Sequence, residues 1–588
     1  MVIRRISLKL LLVGMGLSIS AMVNAQAPSY NDLFSHVKLP SPMPDAAFGL
    51  PPGARAPSQV LEGRLDLHPS PGDGFGTVVD TKYNSVRSES GWKHLPPFSI
   101  DFVQDGNRII PAQEGLILTS SLEWNLIVGH GFAWDQPGDH EYTRVALPFA
   151  LIERNQNCVH NGELTFLFSN TKQPAISQVR YQITQETCDY MKINMWGQVP
   201  ATYSHHSIAH ADELKSSFQS EMEHRIPRKP LSDLAKDYPN AHFDLPALLR
   251  ERKHPADATV YGLYVNGVNY ASGCPTRYGE YAFCDEMRLP SYSTAKSAFA
   301  GMAMMHLGEL FGPDVYSQKL KAYLPDVGQK NSWDAVAFTN VLDMSSGHFQ
   351  NAGFEHDENG PEMKFLVDES LEDKLKDALL PFPSKVPPGT IWDYQSHNTF
   401  LATFGMQKML KEKRGADADL FALMVEDIYK PLQISAGMMQ TTRTDNSLHG
   451  SPAGFFGLFY IQDDVVKLAR FLNTGDGVLE GKTVLDPKRL RESLFREPGT
   501  TGLTTNDPRQ VADTVHYNHA FWGRHFTRLE YPQLSCDFWA PYMSGYGGIS
   551  IVMLPNGITF YVFSDADEFI FNDAVLETNK LAPLCPAS

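Results

Sequence analysis

The segment that most constrains the fold is Ser297-Ala298-Phe299-Ala300-Gly301-Met302-Ala303-Met304-Met305-His306-Leu307, apolar almost throughout and rich in Ala and Met. Ala and Met favour helix, and a helix apolar on every side has to be buried by other elements. Two hairpin patterns far apart in the chain can supply the cover. Thr259 to Val265, Asn266-Gly267 and Val268 to Tyr270 read as strands joined by a two-residue type I′ turn. Ile549 to Leu554, Pro555-Asn556-Gly557 and Ile558 to Phe563 read as a second hairpin. Helical segments dominate from Ser293 to about Leu494. Strands at both ends with helices between predict an α+β domain whose antiparallel sheet is assembled from its two termini.

With 588 residues the chain has room for more than that domain. Residues 26–60 are rich in Pro, Ala and Ser and read as an extended lead-in. From about Leu61 to His210, short apolar runs alternate with turn residues, as in Trp124-Asn125-Leu126-Ile127-Val128 and Leu164-Thr165-Phe166-Leu167-Phe168. Such spacing predicts an all-β, sandwich-like domain. Residues 211–256 are charged, contain Pro227, Pro230, Pro239 and Pro246, and read as a helix followed by a linker. The expected division is a signal peptide at 1–25, a β-rich domain at 26–245 and the α+β domain at 246–588. No internal repeat is visible.

Arg4, Arg5 and Lys9 precede a run of about 14 mostly apolar residues, Leu10 to Val23, and Val23-Asn24-Ala25 offers a small-residue cleavage site. That is the pattern of a secretory signal cut after Ala25, and the run is short for a membrane span. The next cysteine is Cys158, so no lipid-modified cysteine stands at the mature N-terminus. The expectation is a soluble periplasmic or secreted protein without a membrane span. The formal charge is −17, and the segment to Ala25 carries three cations and no acid, which leaves −20 after cleavage. So acidic a balance argues against nucleic acid as a partner and against anionic membrane surfaces. Six cysteines in an exported chain suggest disulfides. Their spacing favours Cys158–Cys188, Cys274–Cys284 and Cys536–Cys585, among the 15 connectivities that six cysteines allow.

Just ahead of the apolar run stands Ser293-Thr294-Ala295-Lys296. On a helix the serine and lysine lie one turn apart on one face, so the amine reaches the hydroxyl. A serine hydroxyl is a weak nucleophile until a base takes its proton, and a lysine becomes that base when burial lowers its pKa. A serine in the first turn also aims free backbone N–H groups at an incoming carbonyl oxygen. The spacing alone is uninformative, because Ser35/Lys38, Ser90/Lys93 and Ser169/Lys172 share it. Each of those is soon followed by a proline (Pro40, Pro96, Pro174), which stops a long helix. Only Ser293 leads into a helix that must be buried.

Four separated segments then resemble the serine β-lactamase-like superfamily, which includes class C β-lactamases, family VIII carboxylesterases, D-aminopeptidase-like enzymes and nylon-oligomer hydrolases. They are Arg288 to Ser297 around the nucleophile, Leu342-Asp343-Met344-Ser345-Ser346-Gly347, Pro388-Gly389-Thr390-Ile391-Trp392-Asp393-Tyr394-Gln395-Ser396, and Ser544-Gly545-Tyr546-Gly547-Gly548. Their order and rough spacing hold over about residues 255–588. The resemblance implies a β-lactamase/DD-peptidase-like fold, an acyl-enzyme on Ser293, and no metal or organic cofactor. It implies that Tyr394 lies near Ser293 and Lys296, passes a proton to the leaving group and then activates water, Lys296 supplying the charge a phenolate needs. The oxyanion would sit on the backbone N–H groups of Ser293 and Tyr546. Ser396, Asn398, Ser544, Gly545, Gly547 and Gly548 would line the substrate site.

Two departures bear on the substrate. Tyr394-Gln395-Ser396 replaces the common Tyr-x-Asn, with Asn398 two positions on. Met543-Ser544-Gly545 stands where Lys-Thr-Gly or His-x-Gly is usual, so the cation that would bind a substrate carboxylate is missing. Ester or amide hydrolysis on a small-molecule or peptide-like substrate is therefore the leading expectation. A D-amino-acid peptidase or weak β-lactamase comes next, and a catalytically silent penicillin-binding-like protein for cell-wall fragments is the reading of another class. His205, His206 and His210, with Asp212 and Glu213, read as polar surface before they read as a metal site. His348, His356, Asp357 and Glu358 read as loop polars, a minority of which would touch substrate, and Trp392 and Trp522 as core or pocket lining. No Gly-x-Ser-x-Gly elbow, His-Glu-x-x-His or phosphate loop occurs. The β-rich domain could bind cell wall or polysaccharide, or cap the catalytic domain.

Overall fold

The computed structural model describes residues 27–585 except 38–40, 69–73, 82–90, 326–332, 506, 509–510 and 512. The expected signal peptide lies outside the described residues. Two large, mainly antiparallel sheets dominate, one of eleven strands and one of nine.

The apolar runs between 61 and 210 become the eleven-stranded sheet, and they join into one continuous sheet rather than two separately bonded ones. Its central strands, Thr143–Glu153 and Val159–Phe168, are buried at every position. One face closes over a core that includes Leu65, Trp124, Val145, Phe166 and Ile193. On the other face Ile127, Ala150, Ile152 and Val159 pack with Phe459 of the downstream half. A strand covered on both faces has no need of alternating polar residues, which is why Ala146 to Ile152 reads as an unbroken apolar run.

The nine-stranded sheet is built from both ends of the downstream half. Ala258–Val265 pairs with Thr559–Ser564, which pairs in turn with Ile549–Met553 and then Phe538–Gly545. Asn266 and Gly267 have φ of 47° and 88°, the left-handed geometry that a type I′ turn requires. Apart from a register shift between Ala258 and Val260, the strands alternate. Val260, Ile551, Tyr561 and Phe563 face the helices, while Leu263, Val552, Phe560 and Val562 face a second layer that includes the helix Asn572–Thr578. The short strand Arg228–Pro230 also joins this sheet, parallel to Val268–Ala271, although it precedes residue 246.

The buried helix is present with one irregularity. Residues Lys296–Gly301 form a wide π turn before the regular helix Met302–Phe311. The turn lies against residues 519–520: Ser297 Oγ donates to the Ala520 carbonyl, and a Cβ on Gly301 would stand 3.1 Å from that of Ala520. Such turns gather at functional sites. All six cysteines pair as the spacing suggests: Cys158–Cys188, Cys274–Cys284 and Cys536–Cys585. Among the described residues no helix is long and apolar enough to cross a membrane.

Candidate active site

Ser293 is delivered by a sharp turn. The strand Leu289–Pro290 pairs with Phe459–Tyr460. Ser291 then bonds Leu458 twice, N–H to carbonyl at 3.0 Å and Oγ accepting from the Leu458 N–H at 3.0 Å. Tyr292 reverses the chain at φ +39°, a left-handed conformation unusual for a bulky residue. The first helical turn follows, with the Thr294 hydroxyl donating to the Ser291 carbonyl at 2.7 Å.

Lys296 is buried, and its Nζ donates to Ser293 Oγ at 2.9 Å and to Ser396 Oγ at 2.8 Å. The ammonium also lies 4.8 Å from the centre of the Tyr394 ring. Burial lowers its pKa to about 8, against the opposing pull of Glu358, Glu362 and Glu355. Burial acts on Tyr394 in the opposite sense. It holds the phenol well above its ordinary range, helped by the charge of Glu358, while a hydrogen bond with Ser293 pulls it back. Tyr394 is thus kept protonated, and the phenolate expected beside Lys296 is disfavoured.

The segment that carries Tyr394 is bolted to its neighbours through the backbone. The Asp393 N–H donates to the Met344 carbonyl at 2.8 Å and the Gly389 N–H to the Ser345 carbonyl at 2.7 Å. Gln395 Nε2 donates to the His348 carbonyl and to Asp357 Oδ2, each at 3.0 Å. Ser396 opens the long helix Ser396–Arg414. Its N–H and Oγ donate to the two carboxylate oxygens of Glu358, at 2.9 and 2.6 Å. A continuous chain therefore runs from Ser293 through Lys296 and Ser396 to Glu358. Burial and the neighbouring Glu362 raise Glu358 to about 8.

The cleft over Ser293 encloses about 260 Å3. Ser293, Tyr394, Ser396, Ser544, Gly545 and Tyr546 all line it. Gly545 has to be a glycine for close approach, since a Cβ there would stand 2.8 Å from the Ser291 carbonyl oxygen. The remaining expected residues do not reach the cleft. Asn398 is buried in the first turn of its helix, with Nδ2 donating to Gln395 Oε1 at 2.8 Å. Gly547 and Gly548, at φ +82° and +95°, shape the turn behind Tyr546. Trp522 lines the cleft, and Trp392 packs behind it at 5.6 Å between ring centres.

Several lining residues were not singled out for the site by the sequence, and Glu358 only as one of four loop polars of which a minority would touch substrate. Glu358 belongs to a loop whose Asp357 accepts the N–H groups of Gln350 and Asn351, at 2.8 and 2.9 Å. Gln156, Asn157 and Tyr190 come from the upstream β-sheet half. No local pattern marks the latter three. Glu355, Glu358 and Asp567 line the cleft, while no Lys, Arg or His does so among the described residues. Met543 is a core residue, so the segment Met543-Ser544-Gly545 supplies no cation. His348 is buried and stacked on Trp333 at 4.0 Å, and His356 bonds the Ala352 carbonyl. His205 and His206 bond separate backbone carbonyls, and His210 pairs with Glu213. Among the described residues no group of three or more His, Cys, Asp or Glu is gathered to hold a metal.

No protein-family model matches the chain, and no curated protein matches it. Similar solved structures include a putative 6-aminohexanoate-dimer hydrolase from Bacillus anthracis, 16% identical over 57% of this chain and 80% of that one, with a TM-score of 0.40. A D-stereospecific amidohydrolase from Streptomyces sp. is 13% identical over 58% of this chain and 99% of its own, with a TM-score of 0.39. A class C β-lactamase is 13% identical over 60% of this chain and 98% of its own, with a TM-score of 0.40.

Proposed function

We propose that this protein is a serine hydrolase of the β-lactamase-like kind, cleaving an ester or amide bond through an acyl-enzyme on Ser293. The observation that carries the reading is the buried Lys296 amine, held on Ser293 Oγ at 2.9 Å with its pKa lowered to about 8. At pH 7 about a tenth of such a lysine is already the neutral base.

In acylation the Lys296 lone pair takes the hydroxyl proton as Ser293 Oγ bonds the substrate carbonyl carbon. The carbonyl oxygen gains the charge and rests on the backbone N–H groups of Ser293 and Tyr546. Collapse of this intermediate breaks the bond to the leaving group, which takes a proton from Tyr394, and the Lys296 ammonium restores the phenol. Burial suits Tyr394 to that role, because it stays a proton donor at neutral pH. In deacylation Lys296 accepts a proton from the attacking water, and Ser293 regains its own as the acid product leaves. No step calls on a metal or an organic cofactor.

The acidic lining and the missing cation at Met543-Ser544-Gly545 favour neutral or cationic substrates over those recognised by a carboxylate. That ranks ester or amide hydrolysis above the carboxypeptidase and β-lactamase alternatives. Three disulfides support export to the periplasm or beyond, in keeping with the signal pattern. The test is hydrolysis of a short-chain p-nitrophenyl ester and of nitrocefin by the mature protein and by Ser293→Ala. Ester turnover that disappears in the variant, with nitrocefin untouched, is expected. Turnover equal in both proteins would remove Ser293 as the nucleophile, and none in either would favour the fragment-binding reading.

A further inference from the structure

We infer that Asn157, a residue of the upstream β-sheet half, positions the nucleophile, so that this half is part of the catalytic apparatus and not a detachable binding module. The inference rests on the reading of Ser293 given above.

The turn that presents Ser293 does not hold itself. A bulky residue at positive φ is strained and persists only where its surroundings over-determine it. At Tyr292 much of that determination is one buried side chain. Asn157 Oδ1 accepts from the Tyr292 N–H at 2.6 Å, from Ser291 Oγ at 3.0 Å and from the Gly457 N–H at 3.2 Å. Its Nδ2 lies 3.5 Å from the Leu458 carbonyl oxygen. One amide thus ties the residue before the nucleophile to both chains of the small strand pair that leads to it. The Tyr292 hydroxyl adds a contact to Cys158 Sγ at 3.4 Å.

The loop that carries Asn157 is itself clamped. The Cys158–Cys188 disulfide joins the start of Val159–Phe168 to the end of Val179–Thr187, so residues 156–158 and 188–190 are held as one wall. On its far side the same loop grips the segment that follows Glu358. Arg154 Nε donates to Glu369 at 3.1 Å, Asn155 Nδ2 to the Val367 carbonyl at 2.7 Å and Gln156 Nε2 to the Leu366 carbonyl at 3.0 Å. Four consecutive residues of the upstream half therefore span the gap between the nucleophile's turn and the Glu358 loop. A binding module on a tether would need none of these bonds.

The test measures, on the full mature chain, the rate at which a fluorophosphonate labels Ser293, together with kcat and KM for the p-nitrophenyl ester. Asn157→Ala is expected to slow labelling and kcat about a hundredfold, the cost of a misplacement near 1 Å, with KM within about threefold. Asn157→Asp keeps an oxygen for all three donors and is expected to recover most of the rate. Tyr292→Gly supplies a residue that adopts positive φ without strain. In that background the loss from Asn157→Ala should shrink to less than about tenfold. Three results would overturn the inference: wild-type labelling in Asn157→Ala, the same loss with Tyr or Gly at position 292, or a folded Asn157→Asp that labels no faster than the Ala variant. If Asn157→Ala does not fold, the Asp variant decides alone. A wild-type protein that takes no label sinks the serine reading and this inference with it, whereas a labelled wild type with an equally labelled Asn157→Ala sinks only the latter.

Discussion

Burial pushes Lys296 down to about 8 and Tyr394 well above the ordinary phenol range, because in both it penalises the charged form. On the proposed mechanism this leaves the lysine available as a base and the tyrosine as a donor, which divides the proton work between them. The base must be neutral to act, so kcat/KM should rise with pH through a midpoint near 8 and level off above it. Glu358 moves that limb. Its charge is the largest of the effects that raise Lys296, and Ser396 holds it in place at 2.6 Å. Glu358→Gln keeps an acceptor for Ser396 but loses the charge, so Lys296 should titrate lower. Burial raises the Glu358 carboxyl to about 8, so it is only partly charged where Lys296 ionises, which limits the size of the downward shift. A pH profile of kcat/KM for the two proteins checks this. A limb that stays in place or moves upward would take Glu358 out of the electrostatics of the base.

Three elements converge on Ser293: the turn at Tyr292, the start of the helix Ser396–Arg414 and the strand Phe538–Gly545. The last fits only because position 545 has no side chain, so Gly545→Ala should force the strand away from the Ser291 carbonyl, a backbone atom that cannot swing aside. Acylation of Ser293 should slow at least about tenfold, with unfolding little changed; rapid-mixing measurement of the acyl burst reads the first and thermal melting the second. Much of this convergence was legible in the chain. Ser293 and Lys296 show through a local pattern, a motif feeding a helix with no polar face, and the terminal hairpins show through turn residues and apolar runs. The cysteine pairs followed from spacing. What stayed hidden is non-local. Asn157 meets Tyr292 across 135 residues and Glu358 meets Ser396 across 38. A lone Asn or Glu in a loop carries no periodicity that could announce its partner. The π turn at Lys296–Gly301 was equally invisible, since it answers to the chain at 519–520 packed against it.

At the scale of the whole molecule, the question is whether the upstream half stabilises the protein or shapes the reaction, and two disulfides, one in each half, can separate these roles. Cys158–Cys188 closes a loop of 30 residues and Cys536–Cys585 one of 49. On the chain-entropy account the two differ little, each contributing about 4 kcal/mol. Replacing either pair by serines should therefore lower the melting temperature by similar amounts. Their places differ far more than their loop lengths. Cys536–Cys585 lies among the residues on the sheet face away from the buried helix, beside Leu534 and Leu584. Cys158 is the neighbour of Asn157 and touches the Tyr292 hydroxyl. If the wall it clamps helps to hold Ser293, Cys158→Ser/Cys188→Ser should slow fluorophosphonate labelling about tenfold or more. Cys536→Ser/Cys585→Ser should label at close to the wild-type rate, both measured well below either melting temperature. Equal labelling in the two variants would mean that the upstream half lends stability alone, and that the nucleophile's turn is held from within the downstream half.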